Sequence, residues 1–412
     1  MQFKIEIFNT KNNMRLLIVL LFLSFSGYSQ PIYLQKNQDL QAVIDSAPDH
    51  AKIICNLNDT MEVVNTIMVN KPLAITGLQA ALPDSLGDMP ILQFNAPGAI
   101  ISNFILHGNA QTVSQKNRAP LLIIAAGDFL VERGKFFNSS KEGVSIEADE
   151  EDLTGGVVRD IYGKGVMRDL VSINGGYQGK KVRNVLVENI RCDSCVLRGA
   201  VEVSNGTDNI TVRKVYASKS AYAVDVQDHR KEFQVNQHIV IEDIFAIDCK
   251  MGLRTANADY GHHNLTVRNI TAVRCGWPID LSHTDQVTLQ NVTIIDHASE
   301  KNPPVKIENC QGISVENVKI ERSSYLGAGI EIINSSNIII DHVIIENSNQ
   351  LSYDLLYEAN NGLVNQGLII DNIISSETPK ATVVFIKDGK DSTLKKYKVN
   401  QSYINVVNKA GF

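Results

Sequence analysis

Short apolar segments recur along the chain with the alternation that is typical of β-strands. Eleven of them share one pattern, in which apolar and polar residues alternate, a polar residue interrupts the alternation, and an apolar residue follows at once. The segments begin at residues 98, 128, 156, 184, 209, 238, 264, 286, 312, 337 and 367, so they are 22 to 30 residues apart. No unit has the length or periodicity of an α-helix, so each one predicts strand, bend and strand in a repeat architecture.

The residue that interrupts the alternation is Asn or Asp in eight of the eleven units. These eight residues are Asn103, Asp160, Asn189, Asp243, Asn269, Asn291, Asn317 and Asn372. Asn and Asp tolerate the left-handed backbone conformation that a sharp bend needs, and stacked amides can hydrogen-bond from one coil to the next. We therefore predict that these positions form one corner of a coil.

A second, shorter strand recurs ahead of most units, with the pattern apolar, variable, apolar. It occurs as VSI (144), VSI (171), VEV (201), VDV (224), LRT (253), IDL (279), VKI (305) and IEI (330). Period-two alternation places the flanking residues inside and the middle residue outside. Stacked coils of this length predict an all-β fold, a right-handed parallel β-helix of about eleven coils. A leucine-rich repeat is disfavoured, because the apolar positions are mostly Val and Ile and a helical half is missing.

The two ends of the chain differ from the repeat. In the segment 39–55, Leu40, Val43 and Ile44 fall on one helical face, which predicts a short helix that caps the open end of the solenoid. Near the other end, ATVVFIKD and SYINVV predict final strands, and KDGKDSTLKKYK predicts a charged loop. The predicted organisation is a signal peptide over 1–29, a cap with the first coils over 30–96, β-helix coils over 97–375, and C-terminal strands and cap over 376–412.

The capping helix, the phrase KPLAITGL (71–78), the apolar strands and the asparagine corner together resemble the pectate lyase-like β-helix superfamily, which includes pectate lyases and polygalacturonases. The resemblance covers nearly the whole mature chain and concerns architecture. It implies a carbohydrate-active protein whose cleft lies on the outer face of the sheet that the short VDV-type strands build.

The N-terminal residues have the features of a secretory signal. Lys11 and Arg15 precede the apolar run LLIVLLFLSF, which is too short to span a bilayer, and small residues follow it at the cleavage positions. We predict a secreted or periplasmic protein that is cleaved after Ser29, with Met14 as an alternative start. The remaining sequence has no stretch that is long and apolar enough for a membrane helix.

Composition narrows the class of partner. Hydrophobic residues make up 44% of the 412 residues, which is enough for a large core, and the formal net charge is -6. This acidic balance argues against a nucleic-acid partner but allows local anion binding through a basic patch. We expect a monomer that acts on a polysaccharide.

The outward residues of the short strands form a column across successive coils. In order they are Ser145, Ser172, Glu202, Asp225, Arg254, Asp280, Lys306 and Glu331. Since neighbouring strands lie about 4.8 Å apart, the four charged residues from Glu202 to Asp280 form a short stripe with an exposed Asp225 at its centre. Like charge raises and opposite charge lowers a carboxyl pKa, so Glu202 is the expected proton donor, and Asp225 and Asp280 are the expected anions. A solvated face without function is the alternative for such a stripe.

Polar, aromatic and cationic residues surround this stripe. The candidate substrate-binding residues are Arg168, Arg198, Lys219, Tyr222, Gln227, His229, Asn257, Trp277 and His283. The two aromatic residues could stack on sugar rings. The loops that enter the sheet carry a cation on six successive coils, namely Lys141, Arg168, Arg198, Lys219, Lys250 and Arg274. They suit an extended anionic polymer, with solubility as the alternative. His229, His262 and His263 lie in polar segments and are expected to be exposed.

The six cysteines of an exported protein raise the question of disulfides. Cys192 and Cys195 form a single C-x-x-C, which is weak evidence for zinc and favours a structural role. Cys195, Cys249 and Cys275 share one offset within their units, with Ser220 at that place between them, which predicts a stack of small residues. Cys249 and Cys275 on neighbouring coils are also compatible with a disulfide.

Three functions remain open. The resemblance implies a polysaccharide lyase, which cleaves by β-elimination after removing the proton beside a uronate carboxylate. In that case Glu202 and Asp225, with Asp280 as a third candidate, would hold calcium, and Arg254 or Lys250 would be the catalytic base. We place the lyase first because of the cationic loops.

A glycoside hydrolase is the second possibility. Glu202 and Asp225 on adjacent strands lie near the ~5 Å separation of retaining enzymes, and Asp225 and Asp280 lie near the upper limit for inverting ones. The polygalacturonase motifs of the superfamily are missing, however, and Arg254 lies in the middle of its strand rather than at the start, where a pectate lyase has its catalytic arginine. A glycan-binding solenoid without catalysis is the third possibility.

Overall fold

The computed structural model describes residues 30–56, 58–86, 89–110, 118–176, 179–195, 197–229, 235–256, 261–359, 366–375, 383–388, 395–399 and 405–410. The predicted signal peptide and the candidate residue Asn257 lie outside the described residues.

The described residues form one helix and 32 strands. The helix is α1 (Leu40–Ser46). The first strands are β1 (Ile32–Tyr33), β2 (Lys52–Ile54), β3 (Met61–Glu62), β4 (Ile67–Val69), β5 (Ala74–Thr76), β6 (Gln79–Ala81), β7 (Leu92–Phe94), β8 (Ile100–His107), β9 (Leu122–Ile124) and β10 (Phe129–Phe137). The central strands are β11 (Val144–Glu147), β12 (Leu153–Lys164), β13 (Val171–Asn174), β14 (Val182–Asp193), β15 (Gly199–Ser204), β16 (Thr207–Ser218), β17 (Tyr222–Gln227), β18 (Gln237–Ile247), β19 (Met251–Ala256), β20 (His262–Val273), β21 (Trp277–Ser282) and β22 (Thr284–Ile295). The last strands are β23 (Val305–Glu308), β24 (Gln311–Glu321), β25 (Ala328–Ile333), β26 (Ser336–Glu346), β27 (Tyr353–Ala359), β28 (Gln366–Ile370), β29 (Ile373–Ser375), β30 (Val383–Asp388), β31 (Lys395–Val399) and β32 (Asn405–Ala410).

The strands form two long parallel sheets that wind into a right-handed β-helix of about eleven turns. A 14-stranded sheet contains β4, β7, β9, the odd-numbered strands from β11 to β27, β30 and β32, and an 18-stranded sheet contains the others. Each strand pairs in parallel with the strands of neighbouring coils. The predicted fold class is therefore confirmed.

The predicted column of outward residues is also confirmed. On successive strands of the 14-stranded sheet, Ser145, Ser172, Glu202, Asp225, Arg254, Asp280, Lys306 and Glu331 lie opposite one another. The flanking Val224 and Val226 are fully buried in the core of the solenoid. Period-two alternation thus assigned the two faces correctly.

The asparagine corner is present in seven of its eight predicted positions. Asn103, Asp160, Asn189, Asp243, Asn269, Asn291 and Asn317 have φ between 51° and 59°. The side chains form a ladder in which, for example, Asn269 Nδ2 donates to Asp243 Oδ1 at 2.8 Å and Asn291 Nδ2 donates to Asn269 Oδ1 at 3.0 Å. Asn372 is not among the left-handed residues and lies in the interruption between β28 and β29.

The predicted capping helix is α1. The Asp39 side chain accepts a hydrogen bond from Gln41 N at 2.9 Å, and Leu40, Val43 and Ile44 are buried as predicted. The Gln41 amide also accepts from Met68 N at 2.8 Å and donates to Met68 O at 3.1 Å. Because Met68 belongs to β4, the first strand of the 14-stranded sheet, these bonds close the open edge of that sheet.

Near the C-terminus, β30 and β32 match the predicted final strands in part. The predicted charged loop is partly wrong, because Lys395–Val399 forms β31 and pairs with β28. Among the described residues no helix is long and apolar enough to cross a membrane.

The cysteines lie in the interior of the solenoid, either in a disulfide or as buried thiols. Cys192 and Cys195 form a disulfide, whereas Cys249 and Cys275 are free and buried, so the alternative of a bridge between them is not realised. Cys195 N donates to Ser220 Oγ at 3.1 Å, which agrees with the predicted stack in one turn.

Candidate functional site

The outer face of the 14-stranded sheet has a layer of buried acids beneath a layer of arginines. The buried acid layer consists of Glu142, Asp169, Glu202 and Asp225, on four consecutive coils. The arginine layer consists of Arg168, Arg198 and Arg254, whose side chains are 23 to 25% exposed. The carboxylates therefore hold the guanidinium groups in place, and the guanidinium groups face solvent.

Glu202 is the most heavily hydrogen-bonded of these acids. Ser172 Oγ donates to Glu202 Oε2 at 2.7 Å, while Oε1 accepts from Arg198 Nη1 and Gln227 Nε2 and lies 2.9 Å from His229 Nε2. Burial disfavours the charge of Glu202, but the hydrogen bond from His229, the charge of Arg198 and the hydrogen bond from Ser172 outweigh it and lower the pKa to about 2. The prediction that Glu202 is a proton donor is therefore wrong.

Asp225 is fully buried, so the prediction that it is exposed is wrong as well. Its side chain does point away from Val224 and Val226, but Arg254 of the next coil covers it. Arg254 Nε donates to Asp225 Oδ1 at 2.8 Å, Arg254 Nη2 donates to Oδ2, and Nη2 also contacts Gln227 Oε1 at 3.1 Å. Burial raises the pKa of Asp225, and the hydrogen bonds from Arg254 oppose that shift.

Arg254 is unsuited to the predicted role of base. Its burial disfavours the positive charge, but the hydrogen bonds and charge of Asp225 outweigh this effect and raise the arginine pKa further. Lys250, the other candidate base, is exposed in the turn before β19. A catalytic role for Lys250 stays a prediction.

Tyr222 cannot stack on a sugar as predicted, because it is almost completely buried. Its hydroxyl donates to Asp169 Oδ1 at 2.9 Å, and Gly199 N donates to the same oxygen at 3.2 Å. Burial and the charge of Glu202 raise the pKa of Asp169 well above its ordinary value. The Arg254 guanidinium lies 5.3 Å from the centre of the Tyr222 ring, so Tyr222 supports the arginine layer from below.

His229 is a partly exposed histidine just beyond the end of β17 that contacts the buried acid layer. Its ring is 30% exposed, and its Nε2 lies 2.9 Å from Glu202 Oε1 and 3.1 Å from Arg198 Nη1. The backbone is also anchored, since His229 N donates to Asn205 Oδ1 at 2.9 Å. Among the described residues, Nδ1 has no hydrogen-bond partner. His229 thus has one ring nitrogen held on a carboxylate and a side chain that solvent reaches in part.

Asp280 differs from the acids of the buried layer. It lies beside Arg254 in the column, and Ser282 Oγ donates to its Oδ1 at 3.2 Å. Burial, opposed by the charge of Lys306, raises its pKa to about 6, which contradicts the prediction of an ordinary anion. Trp277 is half-buried at the start of the same strand, and the Lys306 ammonium lies 5.3 Å from its ring centre.

The predicted row of loop cations is largely paired with acids. Lys141 Nζ and Arg168 Nη1 lie 3.4 and 3.1 Å from Glu142 carboxylate oxygens. Arg274 pairs with Asp248 at 2.6 Å. Lys219 and Lys250 are exposed cations.

Other candidates fall in different environments. Gln227 is buried between Glu202 and Arg254, which excludes direct contact with a polymer. His262 is fully buried, contrary to prediction, and burial lowers its pKa to about 4. His283 is exposed and contacts Asn309 Nδ2 at 3.2 Å. Its role in binding stays a prediction.

The acids predicted as calcium ligands do not fit that ion in this arrangement. The oxygens of Glu202 and Asp225 already accept hydrogen bonds from arginine, glutamine, serine and histidine groups. Calcium requires six to eight oxygen ligands, and the described residues contain no cluster of three or more potential metal ligands. No step proposed below uses a metal.

Sequence reasoning missed Glu142 and Asp169 because both lie in turns ahead of the strands that form the column. A signal was present, since each follows a loop cation directly, as Lys141–Glu142 and Arg168–Asp169. Only the first of these two neighbouring sets forms an ion pair within itself, since Arg168 pairs with Glu142 of the preceding coil and Asp169 lies 3.9 Å from Arg198.

The sequence of this chain matches no protein-family model, and no curated protein matches it. Solved structures are similar. The A-module of mannuronan C-5 epimerase AlgE4 from Azotobacter vinelandii has a TM-score of 0.56 and 12% identity, and the match covers 93% of this chain and 99% of that chain. The catalytic domain of a GH87 alpha-1,3-glucanase has a TM-score of 0.51 and 9% identity, with 92% and 69% covered. A family 28 exopolygalacturonase from Yersinia enterocolitica has a TM-score of 0.50 and 12% identity, with 92% and 78% covered. This similarity establishes the fold, a right-handed parallel β-helix that the chain shares with several carbohydrate-active proteins.

Proposed function

We propose that the protein is an exported enzyme that removes the C-5 proton of a uronate residue in an acidic polysaccharide and cleaves the chain by β-elimination. The observation that carries the proposal is the position of His229, which is oriented by Glu202 and lies beside the outward-facing Arg198. The predicted signal peptide agrees with action on an extracellular polymer.

His229 has the geometry of a general base. Because Nε2 is held on the Glu202 carboxylate, Nδ1 is the ring nitrogen that accepts a proton. A buried carboxylate that orients a histidine also stabilises the imidazolium formed by proton transfer. The candidate base is thus His229, which the sequence predicted only as a substrate-binding residue.

The arginine layer supplies the second requirement of the reaction. A C–H bond beside a carboxylate becomes more acidic when cations neutralise that carboxylate, and planar guanidinium groups bind carboxylates at two points. Arg198 and Arg254 are held from below by Glu202 and Asp225 and expose their outer edges. Their orientation therefore requires little reorganisation on binding.

In the proposed elimination, His229 acts on the uronate residue at C-5. His229 Nδ1 takes the C-5 proton, the electrons of that C–H bond form the C-4 to C-5 double bond, and the bond from C-4 to the glycosidic oxygen breaks. The leaving oxygen takes a proton from solvent, and His229 returns its proton to solvent.

Hydrolysis by the predicted carboxylate pair is less well supported. Glu202 and Asp225 are both buried and each is bound to an arginine, so neither is placed to attack a sugar or to protonate a leaving group. Asp280 has the raised pKa of a general acid but lies next to Arg254 rather than next to a second free carboxylate.

Epimerisation at C-5 is the second candidate. It begins with the same proton removal and ends with return of a proton to the opposite face of the sugar. The structural similarity to a mannuronan C-5 epimerase module, which extends over 93% of this chain, favours including it.

The test is incubation of the mature protein in deuterated water with polygalacturonate, mannuronan and a neutral alpha-1,3-glucan, each with calcium and with a chelator. Ultraviolet absorbance together with new reducing ends indicates elimination, and deuterium at C-5 without absorbance indicates epimerisation. Reducing ends alone would show hydrolysis and contradict the proposal, as would absence of all three signals on every acidic polymer.

A further inference from the structure

Six side chains form a continuous stripe on the outer face of the 18-stranded sheet. The aromatic stripe consists of His107, Phe137, Tyr162, Arg191, Tyr216 and Phe245, one from each of six successive coils. The first two lie in one column of the sheet and the other four in the adjacent outward column, two residues earlier along each strand. Since the coils are about 4.8 Å apart, the stripe is about 24 Å long.

Contacts join most neighbours in the stripe. The rings of His107 and Phe137 stack at 4.9 Å, and Phe137 meets Tyr162 edge to face at 5.9 Å. Further along, Tyr216 and Phe245 stack at 5.5 Å with an angle of 11° between their planes. The Arg191 guanidinium lies 4.9 Å from the centre of the Tyr216 ring, which continues the flat surface through a cation.

The aromatic stripe is open to solvent at its centre and at one end. Arg191 has a side chain that is 60% exposed, and Phe245 is 37% exposed. The other four members are half-buried. A contiguous row of partly exposed rings marks an interaction surface more often than isolated apolar residues do.

The charge around the stripe favours an acidic partner. Lys135 lies opposite Tyr162 and Lys164 lies opposite Phe137 on neighbouring strands, and both are exposed. Asp193 is the one acid in these two columns between β8 and β18, and it lies 3.5 Å from Arg191 Nε, so Lys135 and Lys164 remain as the excess positive charge. Rings for stacking and cations at their edges suit a chain of sugar rings that carries carboxylates.

We propose that the aromatic stripe is a second binding surface for an acidic polysaccharide, separate from the candidate site on the 14-stranded sheet. The choice of an acidic glycan rests on the proposed function, whereas the existence of the surface rests on its own contacts. Both surfaces lie on the same coils, since β16 bears Tyr216 and leads through Lys219 into β17 with Asp225. A polymer retained on the stripe is therefore kept near the site, which raises its effective concentration there.

The experiment measures retention in gels that contain polygalacturonate, mannuronan or a neutral alpha-1,3-glucan. All proteins carry His229→Ala, which removes the proposed base, and an assay of reducing ends after each run verifies that the polymer was not degraded. Phe245→Leu removes the outermost ring but keeps an apolar side chain, and Tyr216→Ser tests the ring beneath it. Tyr33→Ser is the matched control, because it removes an exposed ring outside the stripe. Melting temperatures verify that each variant is folded.

We expect Phe245→Leu and Tyr216→Ser each to raise the apparent dissociation constant for an acidic polymer about tenfold, with no change for Tyr33→Ser. In the background that retains His229, turnover of a uronate trisaccharide should be unchanged.

Unchanged retention of both stripe variants would overturn the inference, even if the enzyme proves active. An equal loss on the neutral glucan would overturn the acidic assignment. A dimer that the stripe variants dissociate in sedimentation would assign the surface to self-association instead. Loss of retention by a protein that turns over no polymer would support the stripe and contradict the proposed function.

Discussion

Arg254 holds Asp225 at two points across adjacent coils, with Nε donating to Oδ1 at 2.8 Å and Nη2 donating to Oδ2. The carboxylate is fully buried, while the guanidinium group keeps an exposed edge. In the proposed function Asp225 therefore acts on a ligand through Arg254, as a positioning residue.

Replacing Asp225 with Asn should reduce stability substantially. Unlike Asp280, Asp225 binds an arginine at two points, so the change leaves the partly buried guanidinium group of Arg254 without its charged partner. Breaking a buried ion pair costs about 3 kcal/mol, and we expect this loss to outweigh the gain from replacing a carboxylate whose pKa burial raises. If the Asp225 carboxylate were exposed, the same substitution would change the free energy of unfolding by no more than ~0.5 kcal/mol. Urea denaturation of Asp225→Asn measures the difference, and Asp248→Asn is the control, since its pair with Arg274 is exposed and should contribute much less. A loss no larger than that of Asp248→Asn would contradict the buried pair.

The ionised Glu202 carboxylate should stabilise the folded protein near neutral pH. Its pKa of about 2 lies below the ordinary value of 4.5, so its contribution is present above about pH 4.5 and is lost as the pH falls toward 2. Glu202→Gln should therefore destabilise the protein by about 3 kcal/mol at pH 7, and the difference from wild type should shrink at low pH. Thermal melts from pH 7 to pH 3 test this. A difference that does not vary with pH would show that the charge is not responsible.

Asp280 should have the opposite pH dependence. Its pKa is raised to about 6, so the folded protein retains a proton that the unfolded chain releases near pH 4. Stability should then fall as the pH rises from about 4 to about 6, by up to about 3 kcal/mol. Asp280→Asn should remove this fall and be the more stable protein at pH 7. Parallel melts of the two proteins across this range give the answer, and superimposable curves would refute it.

His229→Ala should lower kcat at least about 100-fold on whichever acidic polymer is turned over, because removal of a general base costs about 100- to 10,000-fold. Binding of the polymer should change less, since the arginine layer remains. His342→Ala is the matched control, because that histidine is an exposed corner residue of β26. Full activity of His229→Ala would exclude the proposed base.

The fold and the register of its strands could be predicted because each coil repeats the same local sequence pattern. Alternation between buried and outward residues, and Asn or Asp at the bend, are properties of single strands and turns, and they hold from Asn103 to Asn317. The same alternation assigns Asp225 to the outer face, but it carries no information on what covers that face.

The environment of the site depends on contacts between coils. Arg254 folds back over Asp225, and Gln227 joins Glu202 to Arg254, so residues about 25 to 30 positions apart decide burial and pKa. Neighbouring charges in the stripe alone predict a raised pKa for Glu202 and a lowered one for Asp225, whereas these contacts between coils produce the opposite shifts. Hydrogen bonds from His229 and Ser172 lower the pKa of Glu202 despite the adjacent like charge. Burial raises the pKa of Asp225 despite the adjacent arginine.

Each strand pairs only with strands of neighbouring coils. The coils at one end can therefore unfold while the candidate site stays folded. Fraying from the C-terminal end passes through β32, β30 and β27 before it reaches any residue of the candidate site. A molecule that has lost these coils keeps Glu202, Asp225 and Arg254 in their register. Partial unfolding from that end would therefore spare the candidate site, and a protease that trims it would leave a shorter solenoid with its buried acid layer intact.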